Sequence, residues 1–276
     1  MLPDERSALR GFVARLIGFA PKCAEAVEHA LQSIELAASH RAPLMLLGDA
    51  DLVRIAQALH RRALGAERPF VVCDPRQRAK PASARSPASY EDGGEAFAAA
   101  AGGTLCVYRR RLPRNFSAVV RMFREPDARV QLVICGGRRD KYEALLATLA
   151  PIVIPPLQER AGELLRIVEG YAADAAAALS STTPLSRNDL DWICRYCASS
   201  LHAIEDATRR VAALREAGNT ARAARLLGMG HTSLAEWLQR RCGPWQDQNG
   251  AARPSRSEPR PSWPRGRERS SRRPSR

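Results

Sequence analysis

Lysine is nearly absent from this chain: Lys22, Lys80 and Lys141 are the only ones among 43 basic residues. Arginine supplies the rest and alanine abounds, as a GC-rich coding sequence produces. Such a bias exchanges Lys for Arg without changing charge. The arginine preference is therefore uninformative, while the net charge of +14 still favours a polyanionic partner. Long apolar runs are also missing. None approaches the ~18 residues that cross a bilayer, and no charged-then-apolar leader opens the chain, so a cytoplasmic protein with no membrane partner is expected. The seven cysteines are odd in number and sit mostly inside apolar runs, which excludes a disulfide framework. Metal-ligand spacing is lacking as well. Cys194-x-x-Cys197 with His202 offers three zinc ligands where a structural site takes four; Cys242 is remote and the pair lies on the apolar side of a helix. His29, His40, His60 and His231 show no partner spacing for catalysis or metal, and His60 ends an amphipathic helix, where a structural role is expected.

What is present reads as an α/β protein. Five short apolar runs, at 43–47, 69–73, 104–108, 129–135 and 151–154, alternate with helical stretches at 22–40, 52–64, 94–101, 114–124 and 139–149. Their hydrophobicity is continuous, which suits strands of a parallel sheet buried on both faces. Residues 1–40 read as a helical lead-in, and 74–92, rich in Pro, Ser, Ala and Arg, as a loop. From 159 to 217 strand signals vanish and helices follow one another. Beyond 243 the chain turns to Arg, Pro and Ser, and residues 251–276 hold nine Arg against Glu258 and Glu268. Such a tail buries too little apolar surface to fold, so disorder is expected. The expected domains are 1–157, an α/β domain; 158–217, a helical subdomain; 218–242, a two-helix unit; and 243–276, the basic tail.

The stretch 219–241 carries the most function. Ala223, Ala224 and Leu227 form the apolar face of one short helix, and Leu234, Trp237 and Leu238 that of a second. Gly228 can take positive φ and stop the first helix, and Thr232 or Ser233 can cap the second. That is helix-turn-helix geometry, with the second helix entering the DNA major groove. The run Gly218, Asn219, Ala223, Ala224, Leu227, Gly228, Met229, Ser233, Leu234, Leu238 resembles Fis-type DNA-binding domains. The expected DNA-binding residues are Asn219, His231, Thr232, Ser233, Glu236, Gln239, Arg240 and Arg241. The second helix departs from the family in placing Ala235 and Glu236 before its first Arg. Readers of this type bind paired half-sites, so a dimer is expected, joined through 204–214 or through the core.

Six fragments upstream, PLMLLGD (43–49), RIAQALH (54–60), RPFVVCD (68–74), EAFAAAAGGTLCVY (95–108), VVRMFREPDARVQLVICGG (119–137) and PIVIPPLQER (151–160), resemble the AAA+ domain of bacterial enhancer-binding proteins, which activate sigma-54 RNA polymerase. The resemblance implies an AAA+-like P-loop fold, a five-stranded parallel sheet followed by a helical lid. It does not carry over the activity. A phosphate loop needs glycines, a Lys for the β- and γ-phosphates and a hydroxyl for Mg²⁺. After Gly48 this chain runs Asp49-Ala50-Asp51-Leu52-Val53. The family's Asp-Glu pair falls on Tyr108-Arg109, its sensor Asn on Gly136 or Gly137, its trans-acting arginines near Asp140 and Leu146 with Arg138 and Arg139 close by, and its lid Arg on His202. The sigma-54-gripping loop has no counterpart in 74–92.

A non-enzymatic DNA-binding transcriptional regulator without a cofactor is expected, its ATPase-dead core serving as scaffold and its partners being DNA, a second copy, and RNA polymerase or an active AAA+ activator. The alternative is a pseudo-ATPase subunit that modulates such an activator, with DNA contact incidental. A third reading is the product of a decaying gene.

Overall fold

The computed structural model describes residues 3–83, 86–138 and 150–241; the helix expected at 139–149, Cys242 and the basic tail lie outside them. Helices α1 (Pro3–Ile17) and α2 (Ala24–His40) precede the first strand. Then follow β1 (Leu44–Leu47), α3 (Leu52–Ala63), β2 (Phe70–Cys73), β3 (Ala88–Tyr90), α4 (Gly93–Ala99), β4 (Thr104–Tyr108), α5 (Phe116–Arg124), β5 (Gln131–Gly136) and β6 (Ile152–Val153). The remainder is helical: a 3-10 segment Leu157–Glu163, α6 (Leu164–Leu179), α7 (Arg187–Tyr196), α8 (Leu201–Ala217), α9 (Thr220–Leu226) and α10 (His231–Arg240).

The strands form one parallel sheet in the order β3-β2-β4-β5-β1-β6. β1, β2 and β5 are buried along their whole length, as continuous apolar runs require. Alternate side chains serve two cores. Met45 and Leu47 pack with Ala96 of α4, Ala100 just beyond it, and Phe116 and Val119 of α5, whereas Leu44 and Leu46 face Ile34 of α2 and Leu59 of α3. Each Leu, Ile or Val so buried contributes about 1.5–3 kcal/mol.

The sheet has six strands, not the expected five. β3 lies inside 74–92 and pairs with β2 at the edge, Val71 opposite Ala88 and Cys73 opposite Tyr90, and the Asp74 N–H donates to Tyr90 O at 2.9 Å. Of its three residues only Ser89 is buried, so no apolar run marks it.

The GGTL stretch is a packing device. Gly102 takes φ +83°, and a Cβ on Gly103 would stand 1.9 Å from Pro69 O, so only glycine lets β4 enter beside β2. Thr104 then joins a buried network: its hydroxyl lies 2.8 Å from His60 Nδ1 and 3.0 Å from the Gln131 side chain, while His60 Nε2 meets Arg68 O at 3.0 Å. His60 is thus structural. Burial lowers its pKa below the usual imidazole value.

Residues 1–40 are more than a lead-in, because α1 packs against α2, α3 and α6. Its C-terminal end is clasped by the last residue of PPLQER. Arg160, 6% exposed, donates through Nη1 to Arg15 O (2.9 Å) and Leu16 O (2.8 Å), and through Nε and Nη2 to Glu163 Oε2. The other Glu163 oxygen accepts from the Phe19 and Ala20 N–H groups. One Arg and one Glu therefore satisfy two orphan carbonyls and two backbone donors at the helix end.

Candidate nucleic-acid interface

Two short helices meet at a sharp turn because of the residues between them. Asn219 caps α9, its Oδ1 accepting from the Arg222 N–H at 2.9 Å. Gly228 ends α9 at φ +60°; its N–H donates to Arg225 O (3.0 Å) and the Met229 N–H to Ala224 O (2.9 Å). This pair of bonds is a Schellman stop. The cap of α10 differs from expectation: Gly230 occupies it, without a side-chain bond, and the helix starts at His231. Thr232 and Ser233 consequently stand one and two positions further along the first turn, and their hydroxyls form no hydrogen bond among the described residues. A hydroxyl freed from capping is available to a ligand.

Ala223, Ala224, Leu234 and Trp237 are buried in the seam, whereas Leu227 and Leu238 are only half-buried. Trp237 also fastens α10 to the helical layer. Its ring meets Trp192 of α7 edge-on at 5.9 Å, and the Arg210 guanidinium of α8 lies 4.9 Å over it. Of the expected contact residues, His231, Thr232, Ser233, Glu236, Gln239 and Arg240 are brought together on α10, all exposed. Asn219 is exposed but acts as a cap, and Arg241 is half-buried, 5.1 Å over the Trp237 ring. One expected surface is taken up inside the chain. In 204–214, Ile204, Ala207, Val211, Ala212 and Ala213 are at most 1% exposed, because α8 packs between α6 and α9. A dimer cannot use that face without opening the fold.

The positions that resemble a nucleotide site also converge, at the C-terminal ends of β1, β4 and β5, where a parallel sheet of this kind holds its ligand. Gly48, Asp51, Tyr108, Gly136 and Gly137 line one open depression of about 240 Å³, with Arg110 and Arg111. Asp51 stands at the N-terminus of α3, its carboxylate 3.1 Å from Arg54 Nε and accepting a long bond, 3.5 Å, from the Arg54 N–H. A helix end that would attract phosphate is thereby served by the protein's own carboxylate. Towards the helical layer the crevice is almost filled. Between Asp51, Ile55, Tyr171, Leu201 and His202 only about 20 Å³ remains. Small-molecule sites occupy ~300–1,000 Å³.

What fills it was invisible in the sequence. Phe12 of α1 lines the remnant, and Arg15, 7% exposed, lies 4.5 Å over the Tyr171 ring and 2.7 Å from Asp174 of α6. Arg62 of α3 shares that carboxylate at 2.8 Å and covers Phe12 at 3.9 Å. A Cβ on Gly170 would come within 2.6 Å of Arg15 Nε, so glycine at that point of α6 makes room for the guanidinium. Helix-period patterning could mark α1 as a helix but not reveal where its Phe and Arg insert.

No family model matches the chain. No curated protein matches it either. A solved structure with a similar chain trace is NtrX from Brucella abortus, at TM-score 0.40 and 15% identity, covering 87% of this chain and 71% of that one.

The remaining candidates carry no chemistry of their own. Among the described residues no group of three His, Cys, Asp or Glu is placed to hold a metal. Cys197 is buried, and burial raises its thiol pKa, as it does for Cys194. Cys106 and Cys135, on neighbouring strands, face each other at 3.6 Å; the hydrogen bond between them, reinforced by burial, holds the Cys135 thiol well above its ordinary pKa. His202 falls on α8 between Arg54 Nη1 (3.2 Å) and Asp206 (3.6 Å), an internal link and not a free sensor. Asp140, Leu146 and Arg139 lie outside the described residues, and Arg138 pairs with Glu159 at 3.1 Å. No helix among the described residues is long and apolar enough to cross a membrane.

Proposed function

We propose that this chain is a DNA-binding transcriptional regulator, reading its site with α10, and that its core is an AAA+-like scaffold related to sigma-54 activators that binds and hydrolyses no nucleotide. The observation that carries this reading is the contrast between two sites in one molecule. The two-helix unit has features that support a reader: a Schellman stop, a buried seam, and an exposed first turn carrying His231, Thr232 and Ser233. The nucleotide position, an open depression of about 240 Å³, has Asp51 where phosphates would lie and neither Lys nor Ser or Thr in its lining, and towards the helical layer Phe12 and Tyr171 leave only about 20 Å³. Those residues do not fit a Mg²⁺-nucleoside triphosphate. Regulation would then proceed by occupying DNA or contacting proteins, without ATP-driven remodelling of polymerase. Two copies would pair through a surface other than 204–214.

Selection of a random duplex library on the full chain at about 0.15 M salt, where non-specific phosphate contacts are weak, tests the reading. A recurrent, roughly palindromic motif that is lost in Thr232→Ala/Ser233→Ala/Arg240→Ala supports it. Salt-labile binding without a motif overturns it and favours the alternative, a subunit that modulates an active AAA+ relative. Point substitutions suit this test better than truncation after Ala217, which would strip Trp192 of its Trp237 cover.

A further inference from the structure

A cleft of about 290 Å³ lies between Arg54, Gln57 and Arg61 of α3, Glu205, Asp206, Arg209 and Arg210 of α8, and the turn residues Leu227 and Met229. Its carboxylates, Glu205 and Asp206, face His202 at 3.9 and 3.6 Å, and its arginines divide into two sets. Arg54 is held by Asp51 and His202, and Arg210 by Asp206 at 3.3 Å, so these are internally neutralised. Arg61 and Arg209 are exposed and make no ion pair among the described residues. They stand on two different elements that line the cleft; Leu227 and Met229, of the turn that leads into His231, line it too.

We infer that Arg61 and Arg209 bind backbone phosphates of DNA flanking the base pairs read by α10, so that α3 of the core is part of the DNA interface. This rests on the DNA-binding reading above. When the first turn of a recognition helix enters the major groove, the sugar-phosphate strand bordering that groove passes beside the turn preceding the helix. Unpaired arginines there meet it without first breaking a salt bridge. Phosphate contacts of this kind set register and affinity but carry no base information. They also answer the shortage of basic residues within α10, whose Arg240 comes only at its last position: the missing charge is supplied from α8 and α3.

The test is the salt dependence of binding by the full-length protein to its selected duplex and to a scrambled one, measured by fluorescence anisotropy between about 0.1 and 0.4 M salt. Arg61→Ala/Arg209→Ala should lower the slope of log K against log salt by roughly 1.8, about 0.9 for each phosphate lost, and weaken both duplexes equally. With equal affinity at 1 M salt, that slope change corresponds to about thirty-fold weaker binding at 0.15 M. Both residues are exposed, and an unchanged melting temperature verifies that the fold persists. Thr232→Ala/Ser233→Ala should do the opposite, erasing the preference for the selected duplex and keeping the slope. A double-arginine variant with the wild-type slope overturns the inference. If the wild type selects no sequence but the arginine variant still flattens the slope, the cleft contacts DNA and the site-specific reading alone falls. If the wild type binds neither duplex, both fall.

Discussion

Replacing Arg160 by Ala should release α1, and the cost can be worked from its partners. The side chain is 6% exposed and makes four hydrogen bonds, two to α1 carbonyls and two to Glu163. Removing one partner of a buried pair costs about 3–5 kcal/mol because the other charge is left uncompensated. The Glu163 side chain keeps 21% of its surface in water, and screening puts the loss at the lower end, about 3 kcal/mol. A folded unit of this size moves by roughly 2–4 °C per kcal/mol, so the melting temperature should fall by about 6–12 °C. Far-UV circular dichroism during heating reads this directly. A double-mutant cycle with Glu163→Gln should return a coupling of about 1–3 kcal/mol. Acid gives an independent signal. Burial would raise the Glu163 pKa, but the bonds from Arg160, Phe19 and Ala20 outweigh it and the net shift is downward. A depressed folded pKa stabilises above the unfolded value and is lost as pH falls through the folded one. Arg160→Ala should therefore lose less stability on acidification than wild type. A melting temperature within ~2 °C of wild type, less than 1 kcal/mol by the same conversion, together with additive single effects, would refute the clasp.

Trp237→Ala removes the contact with Trp192 and should cost about 3–5 kcal/mol by urea denaturation, with any DNA selectivity falling too; a change under ~1 kcal/mol would mean that α10 is not docked through this ring. Gly103→Ala drives a Cβ into Pro69 O and should lower the urea midpoint sharply or prevent folding, whereas Gly11→Ala, on the exposed face of α1 with nothing within 4 Å, should stabilise by about 0.5–1 kcal/mol. For His60 the folded pKa is lowered by burial, so the unfolded chain takes up a proton first as pH drops. Stability should decline below pH ~6.5 and level off below the folded pKa, a slope that His60→Gln abolishes in urea titrations across pH 5–8.

The parallel sheet could be read from the chain because strands buried on both faces leave continuous apolar runs, as at Leu44–Leu47 and Phe70–Cys73. β3 left no such trace, since an edge strand buries one face and needs only Ser89 inward. The two short helices joined at Gly228 were legible for a related reason: they are encoded locally, in Gly228 and in the Ala-Ala and Leu-Trp spacings. The cap of α10 was misplaced because Thr and Ser are better caps than Gly in general, and only the backbone shows the helix starting one residue before Thr232. GGTL and PPLQER, within the fragments 95–108 and 151–160, give no physical reason of their own in the sequence. Their reasons are long-range, a Pro69 carbonyl 1.9 Å from a Cβ on Gly103 and an α1 terminus 145 residues before Arg160, and no local pattern contains them.

The same kind of long-range contact ties α9 and α10 to the rest of the fold. α9 and α10 are seven and ten residues long, and helices shorter than about 12–15 residues are marginal alone. They bury few large side chains of their own, Leu234 and Trp237, and Trp237 needs Trp192 and Arg210 to cover it. Arg210 lies on α8, which is itself buried against α6, and α6 is tied through Asp174 to Arg15 and Arg62 of α1 and α3. The path from reader to sheet is thus an unbroken series of packed pairs. Phe12 and Tyr171 line what is left of the crevice beside Asp51, and the Arg160 clasp holds the end of α1. On the DNA-binding reading proposed above, this series of contacts fixes α10 relative to α3, and with it Arg61 relative to the DNA.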